Sequence, residues 1–376
     1  MSTPGRVRRV ARVRQRMAEV GVDALLLSLG ADLPWLTGYR AMPLERLTVL
    51  VLPREGDAVL LVPELEAPRV PDSDGVFTLR PWSEREDPFG LAAELVRAGA
   101  GAHGVLAVSD RAWAGALLAL QDRLPEARWR PGSSVTAPLR AVKDPDEVAV
   151  LRAAAQAADR VAAALQHGDV PLVGRSEREV SAEIGARLVA EGHERVNFAI
   201  VGSGPNGASP HHEAGERRIV VGDVVVCDFG GELRVGEGLA YCSDITRTVV
   251  TAPPDPEVRD CYAVLYAAQR AGVAAARASV PAEDVDAAAR TVIEEAGLGD
   301  RFIHRTGHGI GIEEHEDPYL VAGNRTPLEV GHAFSVEPGI YVPGRFGMRL
   351  EDIVVVGDDG PEALNTVDHS LVVVEA

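Results

Sequence analysis

Four carboxylates stand at the ends of strand-forming apolar runs, and this limits what the chain can fold into more than any other feature. Val224-Val225-Val226-Cys227-Asp228-Phe229-Gly230 is an apolar run that closes on an acid. Tyr241-Cys242-Ser243-Asp244-Ile245-Thr246-Arg247 does the same on what reads as the next strand. Ala333-Phe334-Ser335-Val336-Glu337-Pro338-Gly339 and Met348-Arg349-Leu350-Glu351-Asp352-Ile353 repeat the device with glutamate. A fifth stretch, Gly307-His308-Gly309-Ile310-Gly311, places a histidine among glycines, where backbone can approach a ligand closely. Acids are rarely buried unless they are paired or bound to a cation.

Taken singly, each acid has an ordinary explanation. Asp228 could cap a turn, Asp244 could pair with Arg247, and Glu351 could pair with Arg349. Holding four such carboxylates together is costly without cations, and two divalent ions sharing bridging carboxylates would relieve that cost. Oxygen-rich ligation with one imidazole suits Mn²⁺, Co²⁺, Fe²⁺ or Zn²⁺ rather than a thiolate site. Cys227 and Cys242 each sit one residue or two from an acid and read as packing residues facing away from it.

Composition narrows the partners. Lys plus Arg number 38 against 56 Asp plus Glu, a net charge of -18, which repels nucleic acid and anionic membrane. Three cysteines, Cys227, Cys242 and Cys261, form no disulfide framework, so a reducing cytoplasm is the expected compartment. No apolar run approaches a membrane span. The arginine-rich start has no apolar stretch after it and reads as an amphipathic helix with Val10, Val13 and Met17 inward, not as a secretory signal.

With 376 residues, two domains are expected. The first alternates short strands and helices. Asp23–Leu27, Leu47–Leu52, Ala58–Val62 and Gly104–Val108 read as strands, the middle two as a hairpin across the Pro53–Asp57 turn. Ala112–Leu124 reads as a helix. This small α/β domain closes around residue 137. Asp144-Pro145 then opens an alanine-rich helix to about Gln166. The pattern beyond it is helix, helix, strands, followed by helices and strands again. The helices near 177–191 and 258–278 are expected at matching places of a weak internal duplication.

The acidic stretches resemble those of the pita-bread metallopeptidases, a family that includes Xaa-Pro aminopeptidases, Xaa-Pro dipeptidases (prolidases), methionine aminopeptidases and creatinase. The similar segments are Gly202-Ser203-Gly204-Pro205-Asn206 through His211, Asp228–Gly230, Ser243–Thr248, His304 through His315, Ser335–Gly339 and Arg349–Asp352. They run in the family's order over nearly the whole second domain. Leu33-Pro34-Trp35-Leu36-Thr37-Gly38-Tyr39 resembles a segment of the N-terminal domain that methionine aminopeptidases usually lack. The resemblance implies an α/β protein with a creatinase-type N-terminal domain at 1–137. A pita-bread catalytic domain, α+β and internally pseudo-symmetric, follows at 138–376.

By position, the resemblance implies five metal ligands: Asp228, Asp244, His308, Glu337 and Glu351. Asp244 and Glu351 would bridge two divalent ions, Mn²⁺ foremost, with Co²⁺, Zn²⁺ or Fe²⁺ as alternatives. His211 would stabilise the attacked carbonyl, His315 would contact substrate, and Glu337 would move the proton. His304 would line a proline pocket, and Arg349, placed at the substrate site, would orient Glu351. His212 is expected to be a bystander. The stretch from Asp228 to Asp244 is longer than usual in the family, the excess near 232–238, and is expected to lengthen a hairpin without moving the ligands. Glu314 stands where many relatives have an aliphatic residue. Tyr319 stands where some prolidases have an arginine that holds the dipeptide carboxylate.

The implied activity is hydrolysis of the bond before a proline by a hydroxide shared between two ions roughly 3.5–4 Å apart. The substrate would be an Xaa-Pro dipeptide or a longer peptide with proline second, and the enzyme a cytoplasmic homodimer. The rivals on the same fold are a metal-independent, creatinase-like hydrolase and a non-catalytic binding protein, which generally lack some ligands where here all five are present, and a specialised amide or C–N hydrolase that keeps the metals, which the ligand set leaves open.

Overall fold

The computed structural model describes residues 3–236 and 238–374. The chain divides into two compact units, one of residues up to Arg140 and one comprising Ala141–Gly236 and Ala240–Ala376.

The first unit opens with α1 (Thr3–Val20), whose Val10, Val13 and Met17 are buried, as the amphipathic pattern predicts. The elements β1 (Ala24–Leu27), α2 (Asp32–Thr37), β2 (Val49–Pro53), β3 (Val59–Pro63), β4 (Thr78–Trp82), α3 (Pro88–Ala100), β5 (Val105–Val108), α4 (Ala114–Arg123), β6 (Arg128–Pro131) and α5 (Ser133–Ala141) follow. Six strands form one mixed sheet in the order β4-β3-β2-β1-β5-β6. The hairpin read from 47–62 is the antiparallel β2–β3 pair. The Leu33–Tyr39 segment lies on the short helix α2 and its C-terminal turn, the helix being ended by Gly38 in the left-handed conformation at φ 76°. Leu26, Val51, Leu61, Ala93, Val96 and Leu106 form the core between sheet and helices. The edge strands β4 and β6 carry few buried residues, which is why their sequence gives little strand signal.

The second unit runs helix, helix, strands, twice over. The first round is α6 (Pro145–Gln166), α7 (Glu177–Ala190), β7 (His193–Ser203), β8 (Val224–Arg234), β9 (Ala240–Cys242) and β10 (Ile245–Val250). The second is α8 (Pro256–Ala275), α9 (Ala282–Glu295), β11 (Gly307–Gly309), β12 (Glu316–Leu320), β13 (Ala333–Val336), β14 (Gly339–Val342), β15 (Phe346–Arg349), β16 (Asp352–Val356), β17 (Pro361–Ala363) and β18 (Val372–Val373). By order, α6 corresponds to α8 and α7 to α9. The expected match of 177–191 with 258–278 is therefore out of step by one helix. Asp144 starts α6 through a full capping box with Glu147, and Asp255-Pro256 starts α8 by a related signal.

Strands β18-β10-β8-β7 form one sheet, with β9 paired to β8, and β12-β11-β13-β16-β17 form another. An isolated bridge between Thr246 and Glu351 links them. Helices α6 and α7 pack Val161, Leu165, Ile184 and Leu188 onto Val225, Cys227 and Phe229 of β8. Residues of α9 and its neighbours pack onto Phe334 and Val336 of β13 and Val354 of β16. Helix α8 covers Met348 and Leu350. Side chains alternate across a strand. The residues next to these core positions, Asp228, Glu337, Arg349 and Glu351, therefore turn away from the helices.

Candidate metal centre and active site

All nine residues singled out in the sequence line one cavity of about 480 Å³: His211, Asp228, Asp244, His304, His308, His315, Glu337, Arg349 and Glu351. Asp228 stands mid-strand on β8, opposite Thr246 of β10 and Ile200 of β7. Asp244 lies in the gap between β9 and β10, where the chain passes so close to β8 that a Cβ on Gly230 would sit 2.1 Å from Ser243 O. Only glycine fits there. His308 is held the same way: a Cβ on Gly307 would meet Ser335 O at 1.9 Å, and one on Gly309 would meet Asp317 O at 2.1 Å. The residues after Asp228 extend β8 and return as β9 in unbroken register, Glu232 against Cys242 and Arg234 against Ala240.

Ligand-type atoms of Asp244, His308 and Glu351, all buried, lie within 4.8 Å of one another. His308 Nε2 is 3.2 Å from Glu337 Oε1 and 3.7 Å from Asp244 Oδ2, while its Nδ1 lies 3.1 Å from Gly309 O. Nδ1 thus faces a carbonyl, and Nε2 is turned toward the acids. Ser335 Oγ accepts from His308 N at 3.1 Å and donates to Glu337 Oε1 at 3.0 Å. Thr246 Oγ1 donates to Glu351 Oε2 at 2.6 Å.

The electrostatics ask for cations. Burial, then Glu351, Asp228 and Glu337, push Asp244 well above the usual carboxylate range. Burial, then Glu337 and Asp228, do the same to Glu351. Burial raises Asp228 too, although Arg349 opposes it. Glu337 is the exception. Burial would raise it, but the hydrogen bond and charge of His308, with the charge of Arg349, outweigh this and hold it at about 2. Asp228 Oδ1 and Asp244 Oδ1 are buried with no hydrogen-bond partner among the described residues. Orphaned oxygens aimed into a cluster of acids that cannot all ionise fit divalent metal ions.

The ordinary pairings considered from sequence do not occur. Arg247 binds Asp352 at 2.8 Å and the Glu351 carbonyl at 2.6 Å rather than Asp244. Arg349 pairs with Asp228, and its Nε reaches Thr246 Oγ1 at 3.1 Å. It therefore orients Asp228 directly, and Glu351 only through Thr246, because its guanidinium lies on the β8 side of the cavity. Cys227 packs in the core behind Asp228, and burial pushes its thiol up to about 12.

Around the acids, Tyr341 links two positions that the sequence left separate. Arg349 Nη1 donates to its hydroxyl at 2.8 Å, and that hydroxyl lies 2.9 Å from His304 Nε2. His304 Nδ1 is 2.7 Å from Arg305 O, so Nδ1 carries the hydrogen and Nε2 accepts from Tyr341. Burial lowers His304, keeping it neutral. His315 stacks near His308 at 3.9 Å between ring centroids. Desolvation, then His308 and Arg305, hold it down at about 4. His211 faces the cavity, whereas His212 Nε2 binds Glu177 at 2.7 Å. Glu177 also accepts from Ser203 N and Oγ, Asn206 and Gly215 N. His212 and Glu177 thus anchor the loop that displays His211. Glu177 could not be read from sequence, because an acid in the first turn of a helix is ordinary. Tyr341 left a fainter trace: a tyrosine on an apolar strand must find a partner for its hydroxyl.

Residues 149–358 match the metallopeptidase family M24, and residues 9–142 match the creatinase/prolidase N-terminal domain. The chain is 45% identical over 370 residues to a probable dipeptidase PepE of Mycobacterium tuberculosis, covering 98% of this chain and 96% of the relative. Its structure is similar to that of dipeptidase PepE from Mycobacterium ulcerans, with TM-score 0.93, 44% identity and full coverage (100%) of both chains. It is also similar to a recombinant prolidase from Thermococcus sibiricus, with TM-score 0.91, 37% identity and 99% of each chain covered.

Proposed function

The chain belongs to metallopeptidase family M24, and we propose that it hydrolyses the bond preceding a proline, in Xaa-Pro dipeptides or at the start of longer peptides, using two divalent cations. Asp228, Asp244, His308, Glu337 and Glu351 are the proposed ligands, with Mn²⁺ as the first candidate and Co²⁺, Zn²⁺ or Fe²⁺ as alternatives. The observation that carries this reading is the pair of buried, unpartnered oxygens on Asp228 and Asp244, inside a cluster of acids pushed toward neutrality. Bound there, such cations would supply Lewis acidity to a water and to the scissile carbonyl.

The chain's own residues supply the rest. Glu337, held ionised by His308 and Arg349, accepts a proton from the attacking water and delivers it to the departing proline nitrogen. Water oxygen joins the carbonyl carbon, the C–N bond breaks, and the nitrogen leaves protonated. His211 donates to the carbonyl oxygen as negative charge develops on it. His315 accepts from Arg305 at Nδ1, so its Nε2 carries the hydrogen and donates to substrate. His304, locked by Tyr341 and Arg305 O, forms a rigid wall for the proline ring.

The relatives named dipeptidase and prolidase support the proline half of the reading. Proline's nitrogen has no hydrogen and its ring fixes φ, so enzymes that grip an extended backbone reject it and a dedicated pocket is needed. The test is release of free proline from Ala-Pro by chelator-treated protein, before and after adding Mn²⁺ or Co²⁺. Metal-restored release is expected, and E351A should show none. Absence of turnover on any Xaa-Pro substrate by metal-loaded protein would overturn the assignment.

A further inference from the structure

One buried ion pair takes no part in the chemistry set out above. Lys143 Nζ lies 3.2 Å from Glu316 Oε2, with the two side chains only 1% and 5% exposed. The residues stand 173 positions apart in the chain. Taking two charges out of water is expensive, and apolar side chains of similar volume in their place often leave a protein as stable or more so. Stability alone therefore does not account for the pair.

What it holds is a loop. Residues 310–315 join β11 to β12 without regular structure and carry Glu314 and His315 to the cavity. This loop folds round the Glu316 carboxylate. Oε1 accepts from Glu313 N at 3.0 Å, and a Cβ on Gly311 would fall 2.7 Å from that oxygen. Gly311 N donates to Glu313 O at 3.0 Å, and Gly311 O accepts from Cys242 N at 2.7 Å. Oε2 is left for Lys143. The lysine is anchored through its backbone, where its N–H donates to Gly331 O at 2.8 Å and its neighbour Val142 bridges to His332. Gly331 and His332 lead directly into β13, which ends one residue before Glu337. Burial, then the charge of Lys143, hold His332 at about 4, so it adds no second positive charge there.

We propose that Lys143 and Glu316 are positioning residues for His315: their ion pair ties the loop to the start of β13 and so sets where His315 stands against the metal-binding acids. This rests on the peptidase reading above, in which His315 donates to substrate. His315 is exposed, and its own contacts, the His308 ring and the Arg305 guanidinium, are side chains rather than backbone. Its place is therefore set by the loop beneath it. A charge-assisted hydrogen bond at the centre of an irregular loop selects one arrangement by direction and distance, whereas an apolar contact is non-directional and admits several.

The test uses the double variant K143M/E316Q, which removes both charges together and keeps an oxygen for Glu313 N. It leaves no buried charge unpaired, so its Tm and its Mn²⁺-induced Tm shift should stay close to those of wild type. Its kcat/KM on Ala-Pro should nevertheless fall about 10- to 100-fold, the effect of misplacing a group that meets the substrate. In an H315A background the same two substitutions should cost less than about twofold, because His315 is no longer there to be misplaced. Losses that multiply, full activity of K143M/E316Q, or a Tm far below wild type would overturn the assignment while leaving the peptidase reading intact. A second readout needs no turnover: amide hydrogen exchange across 310–315 should speed up at least about tenfold in K143M/E316Q, with β13 unchanged. Unchanged exchange in the loop would likewise overturn the assignment. If metal-loaded wild type releases no proline from any Xaa-Pro peptide, the peptidase reading itself falls, and the exchange measurement still decides whether the pair holds the loop.

Discussion

Replacing Glu351 by glutamine should make the metal-free enzyme more stable while destroying its activity. Glu351 is buried at 2% exposure and its carboxylate is crowded by Glu337 and Asp228. Thr246 Oγ1 gives it one hydrogen bond, and Arg349 reaches it only through that hydroxyl. Glutamine is nearly the same shape, keeps an oxygen for Thr246, and removes the charge. A buried polar group short of partners costs about 1–3 kcal/mol, and more when charged. For a catalytic unit of this size about 1 kcal/mol moves Tm by roughly 2–4 °C. The variant should therefore melt about 3–10 °C above wild type in chelator. Divalent ions should reverse the order. At a hundredfold excess over Kd each site adds about 2.7 kcal/mol to wild type, and E351Q, lacking a shared ligand, gains far less. Scanning calorimetry of both proteins in EDTA and in MnCl₂ reads all four values. A metal-free E351Q that melts below metal-free wild type would refute the claim that this acid is held at a cost for the sake of a cation.

The same linkage gives a pH dependence. Asp228, Asp244 and Glu351 have folded pKa values raised above those of the unfolded chain, so their contribution is fully present below about pH 4 and lost as pH rises through the folded values. The Tm gap between metal-free E351Q and wild type should widen from pH 4 to pH 8; a constant gap would contradict the raised value. R349M leaves Asp228 buried without its partner and should cost about 3–5 kcal/mol in chelator, less with metal bound, as measured by urea unfolding. E177A unties the loop that carries His211, so kcat should fall by tenfold or more while the Mn²⁺-induced Tm shift persists; loss of both would make Glu177 a general fold determinant. Iodoacetamide at pH 7.5 should leave activity intact, because Cys227 is buried with its thiol near 12 and Cys242 is buried and raised as well.

Much of the site was legible because its logic is that of strand alternation. Val225, Cys227 and Phe229 go to the helices, so Asp228 does not; Met348 and Leu350 do, so Glu351 does not. An acid amid such apolar runs stands out in the sequence alone. The glycines around His308 were equally informative, since strands pass too close there for a Cβ. Less was legible where partners come from far along the chain. Arg349 reaches Asp228 across 121 residues, and nothing in the local pattern separates that from a bond to its neighbour Glu351. Glu177 and Tyr341 act through single hydrogen bonds on otherwise ordinary elements. In the first unit, α2 was hidden because six residues are too few to show helical periodicity, and β4 and β6 because edge strands bury little. The pairing of helices between the two halves is set by their order, not by any resemblance between their sequences.

The most direct test of the central claim is to measure bound divalent metal and proline release on the same preparation. Titrating chelator-stripped protein with Mn²⁺, with Ala-Pro as substrate, should show activity rising with occupancy and levelling at two ions per chain. Asp228→Asn and Glu351→Gln should each lower both the metal content and the release. Full activity with no bound divalent ion, or two bound ions with no proline released from any Xaa-Pro peptide, would contradict the account.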